Sequence, residues 1–311
     1  MAVNEHIVRF IDASPQRSIF CTPWWLEAVA GNRYRYLTAQ KGESIEAVMP
    51  IVETKRFGFR LCTMPPYTQT LGILLAPMSG KYATRLAAEH RLFEELIQKL
   101  PKCHYTSFRL HPTVSNWLPF HWHGFQQTTR YTYLLPDISQ PDTIWQEMRS
   151  NIRREIRKAR NRVTVTHDSD VELLIDLQQK TFNRQGQKHA IEPAVIRAIH
   201  AACSQRDQGK LFFAKDDSGK THSGLLLVWD DRTAYYLIGG SDPELRTSGA
   251  HSLLMWEAIQ FASTKVKEFN FEGSMLRSIE RFFRGFGAVQ VPFFEVHRLG
   301  SKVLRLIDCL R

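Results

Sequence analysis

The chain has 311 residues, a formal charge of +10, 43% hydrophobic and 23% charged residues. That is too long for one ordinary domain, so two of similar size are expected, with the composition of a water-soluble globular protein. No run approaches the ~18 apolar residues that span a bilayer. The start, Met1-Ala-Val-Asn-Glu-His6, lacks the basic flank and apolar run of a signal peptide, so a cytoplasmic location is expected. Cys21, Cys62, Cys103, Cys203 and Cys309 are scattered, odd in number and without a Cys-x-x-Cys pair. This argues against a zinc knuckle, a redox motif and a full disulfide framework.

In chain order, His6–Ile11 reads as a strand and Pro23–Ala30 as a helix. Strands over Tyr34–Gln40, Ile45–Val52 and Leu71–Leu75 follow, interrupted by a long Arg56–Thr70 loop. Tyr82–Leu100 has strong helical spacing, and Tyr105–Leu110 and Phe125–Leu135 read as strands. Trp24-Trp25 reads as core. His121-Trp-His123 has no Cys, Asp or Glu cluster beside it, so no metal is expected. Pro136–Asp142 is polar with two prolines and is the natural junction between domains 1–140 and 141–311.

Between Arg149 and Arg162 stand seven cations, opposed only by Glu155. Ile144, Met148, Ile152 and Ile156 recur every four residues, leaving one apolar stripe to pack. Arg149, Arg153, Arg157 and Arg160 form a second, cationic side, with Arg154 and Lys158 adding to the charge. A solvated face is one reading. The other is recognition of an anionic partner, for which arginine is suited: a phosphorylated acceptor or a tRNA backbone.

The second half continues with a strand over Val163–His167 and helices over Val171–Gln185, capped by Ser169 or Asp170, and Pro193–Arg206. Strands Leu211–Lys215, Ser223–Trp229 and Ala234–Gly239 follow, the last two joined by an Asp230-Asp231 turn. Next come a helix Ala250–Lys265, a strand Glu268–Glu272, a short helix Ser278–Phe286 and a strand Pro292–Arg298. The order β-α-α-β-β-β-α-β-α-β has a looser counterpart in the first half. Mixed strands and helices in this order imply sheets with helices on their faces.

The loop from Gly239 to Ala250 joins a strand end to a helix start. Gly239 and Gly240 free the backbone, and Ser248, Gly249 and Ala250 bring small residues to the helix N-terminus. Arg246 adds a cation. Such a place suits a phosphate or pyrophosphate; an ordinary turn and N-cap is the alternative. In this order of elements, Arg246-Thr247-Ser248-Gly249-Ala250 resembles the pyrophosphate-binding motif of the GNAT acyltransferases. It departs at His251, where the family usually has Gly or Ala. The chain more specifically resembles the FemAB-like branch, which carries two such domains in tandem. The matching stretches are Phe20-Cys-Thr-Pro-Trp-Trp25, Met64-Pro-Pro66, Asn151-Ile-Arg-Arg-Glu-Ile-Arg-Lys-Ala159, Ser248-Gly-Ala250, Phe271-Glu-Gly-Ser274 and Arg281-Phe-Phe-Arg-Gly-Phe-Gly-Ala288.

That resemblance implies two tandem GNAT-like domains of mixed α/β sheets, with the donor site in the C-terminal one. It implies transfer of an acyl group from acyl-CoA, or of an aminoacyl group from aminoacyl-tRNA, to an amine of a small anionic sugar or peptide. A non-catalytic RNA- or phosphate-binding module on the same fold is the alternative. In the fold, Glu272 ends a strand that borders the active site, where a carboxylate can take a proton from the attacking amine. A structural ion pair with Arg277, Arg281 or Arg284 is the competing role. Arg281 and Arg284, with the basic helix, are candidates for holding the acceptor. Tyr236 is the second catalytic candidate, beside backbone N–H groups of 236–239 that would steady the oxyanion. The family often protonates the departing thiolate with a tyrosine near the last helix, but no tyrosine follows Tyr236. A thiolate tolerates leaving without an acid better than an alkoxide does, which favours a thioester donor.

Overall fold

A computed structural model gives the fold and describes residues 5–167, 170–184, 186 and 192–300. The chain forms two compact units, residues 1–130 with 292–311, and residues 131–291. Pro136–Asp142 therefore lies inside the second unit, and the last strand is shared out to the first. The pairing responsible joins residues 186 positions apart, Arg109 and Glu295, which a local polar stretch cannot announce.

The first unit opens with α1 (Glu5–Ala13), a helix where His6–Ile11 reads as a strand. Ile7, Phe10 and Ile11 fall at helical spacing, and Ile11 is buried. Helix α2 (Pro23–Ala30) starts as such helices should: Pro23 sits in the first turn and the Thr22 side chain accepts from the Trp25 amide. Trp25 is fully buried, its Nε1 donating to Thr68 Oγ1. Strands β1 (Tyr34–Lys41) and β2 (Ser44–Arg56) form an antiparallel hairpin. The Arg56–Thr70 segment is not all loop, because β3 (Phe59–Cys62) turns back on β2. Phe57 and Gly58, both at positive φ, close that two-residue hairpin. Strand β4 (Leu74–Leu75), helix α3 (Tyr82–Gln98), β5 (Tyr105–Arg109) and the short helix α4 (Leu118–Trp122), unforeseen in the sequence, follow. Leu92, Phe93, Leu96 and Ile97 of α3 are buried in the core of this unit.

Strand β6 (Gln126–Leu135) leads into the second unit. The segment carrying the apolar stripe from Ile144 to Ile156 forms two helices instead of one, α5 (Pro141–Glu147) and α6 (Ser150–Arg160). Met148 and Arg149 are extended between them, at ψ of 142° and 143°. The apolar stripe survives the break, since Ile144, Met148, Ile152 and Ile156 are all buried in one cluster. Then come β7 (Thr164–Thr166), α7 (Val171–Arg184), α8 (Pro193–Ser204), β8 (Gly209–Lys215), β9 (Thr221–Trp229) and β10 (Thr233–Ser241). After these follow α9 (Ala250–Ala262), β11 (Glu268–Asn270), α10 (Arg277–Arg284) and β12 (Val289–Leu299). From β7 onward this is the order expected from the sequence. Asp170 caps α7, its Oδ1 accepting from the amides of Glu172 and Leu173; Ser169, the other candidate cap, and Gln185 lie outside the described residues.

The strands of this unit run β6-β11-β10-β9-β8-β7, antiparallel throughout except for the parallel pair β10/β11. Helix α9 lies against β8 and β9 and carries nine buried residues, more than any other helix here, so it anchors the core. Helix α7 packs on β10 so closely that a Cβ on Gly240 would fall 2.5 Å from Gln178 N and from the Leu177 carbonyl carbon. Among the described residues, no helix is long and apolar enough to cross a membrane.

The contact at Gly240 has a measurable consequence. Gly240→Ala forces α7 off the sheet and should cost about 1–3 kcal/mol, the range for overpacked cores. Thermal or urea unfolding would register it, and an unchanged midpoint would mean that α7 is not seated this closely.

Candidate active site

Strands β10 and β11 pair only from Thr233 with Glu268 to Tyr235 with Asn270. Beyond that the register of β10 on β9 slips between Tyr236 and Ile238, leaving Leu237 as a bulge. The strands part, and a cleft of about 590 Å³ opens between the free end of β10, α7 and the segment 271–283. Phe182, Phe271, Phe282 and Phe283 give it an aromatic wall.

Tyr236 lies in this wedge within a chain of hydrogen bonds. Its Oη is 3.0 Å from His251 Nε2, and His251 Nδ1 is 2.8 Å from Ser223 Oγ. Ser223 donates to the Gly240 carbonyl at 2.9 Å and lies 2.9 Å from Ser241 Oγ. The rings of Phe282 and Phe283 pack against His251 and Tyr236. Both polar rings keep part of their surface on the cleft, yet enough protein surrounds them to disfavour charge. Desolvation lowers the His251 pKa to about 4. It raises that of Tyr236, with the charge of Glu272 adding to the effect. His251 is therefore neutral and Tyr236 protonated at neutral pH.

Glu272 also lines the cleft. It does not end a strand, because β11 stops at Asn270. Glu272 has a left-handed backbone, φ 59°, followed by Gly273 at 71°. Asn270 holds that turn: its Oδ1 accepts from the Glu272 amide at 2.7 Å and from Thr132 Oγ1 at 2.6 Å. Only glycine fits next, since a Cβ at 273 would meet the Tyr131 carbonyl at 2.2 Å. A left-handed glutamate is costly and persists where neighbours over-determine it, as they do here.

The loop after β10 forms a turn of 3₁₀ helix at Arg246–Ser248, and Gly249, at φ 82°, opens α9. The first-turn amides of α9 have no partner within the helix and carry its positive dipole end. Gly249 serves packing as well, since a Cβ there would stand 2.6 Å from the Glu155 carbonyl of α6. One hydrogen bond ties α6 to this loop, Lys158 Nζ to the Thr247 carbonyl at 2.7 Å, and another ties it to α9, Ser252 Oγ to Glu155 Oε2 at 2.8 Å.

Of the residues singled out from sequence, Tyr236, Gly239, Gly240, Arg246, Ser248, Ala250 and Glu272 line one cleft. Thr247 and Gly249 lie in the same loop without lining it. The basic residues sit elsewhere. Arg153 reaches the Trp145 and Gln146 carbonyls at the end of α5, and Arg157 and Arg160 lie over the Trp145 ring. Arg154 is exposed, Lys158 holds the loop, and Arg284 pairs with Glu280 on α10, beside Arg281. The His251 side chain turns to Tyr236 and Ser223.

Sequence reading missed Ser223, Asn270 and Gln178. Gln178 is 6% exposed, lines the cleft, and its Oε1 has no hydrogen-bond partner among the described residues. A glutamine on the apolar side of α7, one residue after the buried Leu177, was the available signal. His121 stacks edge-on against Trp117, and His123 Nδ1 lies 2.8 Å from the Pro119 carbonyl. Among the described residues, no cluster of three or more metal-ligating side chains occurs.

Residues 146–296 match the family model of the acetyltransferase (GNAT) domain. No curated protein matches the chain. Among solved structures it is similar to FemX, at 15% identity over 94% of this chain and 96% of that one, with a TM-score of 0.67. A tandem GNAT protein from the clavulanic acid biosynthesis pathway aligns at 9% identity over 96% and 95% of the two chains, TM-score 0.57. L-PGS from Bacillus licheniformis aligns at 11% identity over 98% and 95%, TM-score 0.53. Residues 146–296 thus resemble an acetyltransferase (GNAT) domain in sequence. The chain as a whole has the FemAB-like, tandem GNAT fold.

The neutral His251 fixes a sign for acid stability. Its pKa is depressed from 6.5 to about 4 in the folded state, so the unfolded chain binds a proton there that the folded chain does not. Its stabilising contribution is complete above pH 6.5 and is lost as pH falls to 4. The ring's contact with the cleft trims the full value to about 2–3 kcal/mol. Urea midpoints measured from pH 7 to pH 4 should fall less steeply in His251→Gln than in the wild type. Parallel curves would show that His251 titrates normally.

Proposed function

We propose that the chain is an N-acyltransferase whose donor is an acyl-CoA thioester and whose acceptor is an amine of a small sugar or peptide. The observation that carries this reading is the continuity of one cleft. It joins the phosphate-suited start of α9, at Arg246, Ser248 and Ala250, to the wedge holding Tyr236 and Glu272. The pyrophosphate would lie on the first amides of α9 with Arg246 beside it. The pantetheine arm would follow the open edge of β10, where Gln178 offers a buried acceptor to an amide N–H. The thioester carbonyl would come to the bulge at Leu237, whose backbone N–H groups would steady the oxyanion. Glu272 would take the proton that an arriving ammonium must lose before it can attack.

A second reading has the donor carried by tRNA, as the FemAB-like resemblance also implies. It is favoured by the position of α6. This helix exposes Arg154, Arg157 and Lys158 and is tied through Lys158 to the donor loop. Exposed cations beside that loop suit a long polyanionic donor. On either reading the basic helix serves the donor side.

Thiol release from a panel of acyl-CoAs, with an amine acceptor, tests the first reading directly. Arg246→Glu should weaken donor binding by about 10-fold or more, the effect of removing a charge-assisted contact and leaving a repulsive one. Glu272→Gln should lower kcat by about 10²–10⁴-fold with donor affinity nearly unchanged. Gly249 is a poor probe, since any side chain there strikes α6. Salt-sensitive tRNA binding that Arg154→Glu abolishes, together with no thiol release from any thioester, would move the assignment to the tRNA donor.

A further inference from the structure

We infer that His251 is a positioning residue that, acting through Tyr236, holds the proton moved from the attacking nitrogen to the leaving group. The inference rests on reading the cleft as an acyl-transfer site. Its basis is the polarity of the hydrogen bonds behind Tyr236. Ser223 Oγ donates to Gly240 O, which can only accept, at 2.9 Å, and with its one proton used there it accepts from Ser241 Oγ at 2.9 Å. Ser223 Oγ then presents a lone pair to His251 Nδ1 at 2.8 Å, which makes Nδ1 the protonated nitrogen. In a neutral imidazole the other nitrogen is bare, so Nε2 accepts from the Tyr236 hydroxyl at 3.0 Å. The phenol oxygen is left with lone-pair density for the cleft.

A separate observation shows that the site is built around this pair. A Cβ on Gly239 would lie 1.9 Å from Tyr236 Oη and 2.9 Å from His251 Cε1. The glycine at this strand end therefore makes room for the phenol and imidazole. The side chain at position 251, where the GNAT motif usually has glycine or alanine, has been turned from the phosphate end of the loop to the chemistry.

The proton count closes without an outside acid or base. After the neutral amine attacks, the tetrahedral carbon bears an oxyanion and a cationic nitrogen. That nitrogen gives a proton to Tyr236 Oη while Tyr236 gives its own to His251 Nε2, and the positive charge moves to an imidazolium whose Nδ1–H faces Ser223. On collapse the oxyanion re-forms the carbonyl and the carbon–sulfur bond breaks, its electron pair leaving on sulfur. Nε2 returns its proton to Tyr236 Oη, and the Tyr236 proton passes to sulfur. The products are an amide and a free thiol, and both residues end as they began. With an ester donor, oxygen replaces sulfur in the same steps.

The test pairs a spectroscopic readout with kinetics. In ¹⁵N-labelled protein at pH 7, the His251 ring should give the signature of a neutral Nδ1–H tautomer, with a bare Nε2 whose shift moves in Tyr236→Phe. His251→Gln and Tyr236→Phe should each lower kcat by about 10²-fold or more with little change in donor KM. The double variant should fall no further than the worse single one, as for residues acting as a unit. Ser223→Ala, which removes the partner of Nδ1–H, should lower kcat by a smaller factor and guards against a folding defect peculiar to position 251. An imidazolium or an Nε2–H tautomer in the wild type would overturn the relay, as would losses that multiply in the double variant or an unchanged kcat. A wild type that transfers no acyl group from any donor would overturn the acyl-transfer reading and the relay with it.

Discussion

The parallel pairing of β10 with β11 covers three residue pairs and ends at Tyr235 with Asn270, and the site depends on that early parting. Strands that stayed paired would have satisfied their backbone groups in a ladder and left no space between them. The bulge at Leu237 turns β10 away on one side. On the other, Asn270 bends the chain into the left-handed turn at Glu272 and Gly273. The wedge is thus held open by hydrogen bonds and close contacts, and it needs no ligand to form. Preorganisation of this kind is what acyl transfer asks of a protein, since the oxyanion forms where donors already point.

Glycines mark the places where other parts of the second unit press against this wedge. Gly240 admits the backbone of α7, Gly239 the rings of Tyr236 and His251, and Gly249 the carbonyl of Glu155. The loop that resembles a pyrophosphate cradle is therefore also a packing joint with α6. The two roles are compatible because they use different faces: the amides of the first turn of α9 point along the helix axis, while the missing Cβ of Gly249 faces α6. Changes at the joint will disturb stability together with whatever the loop binds, whereas Arg246 is exposed.

Much of the second unit was legible because its elements are long and regularly patterned. The order from β7 to β12 follows from hydrophobic period and turn residues, and the stretches that resemble family motifs include Arg246, Ser248, Ala250 and Glu272, which line the cleft. What the sequence hid was contact between distant segments. Arg153, Arg157 and Lys158 read as a cationic face, but nothing local says that they serve Trp145 and Thr247. His251 looked like a misfit in a small-residue motif, since its partners Ser223 and Tyr236 are 28 and 15 positions away. Glu272 read as a strand end because Phe269, Phe271 and their neighbours alternate, and the side chain that breaks the strand, Asn270, sits inside the pattern. In the first unit, the apolar run of α1 is short enough to read as a strand, while the spacing of Ile7, Phe10 and Ile11 fits a helix.

The central claim is that one cleft takes an acyl donor from the start of α9 to the wedge at Tyr236. Hydrogen–deuterium exchange with and without a non-hydrolysable acyl-CoA thioether examines it most directly. The account predicts slowed exchange concentrated in residues 236–241 and 246–252, with the strands of the first unit unchanged. Protection confined to the first unit, or spread evenly over the basic surface of α6 with none at 236–252, would contradict it.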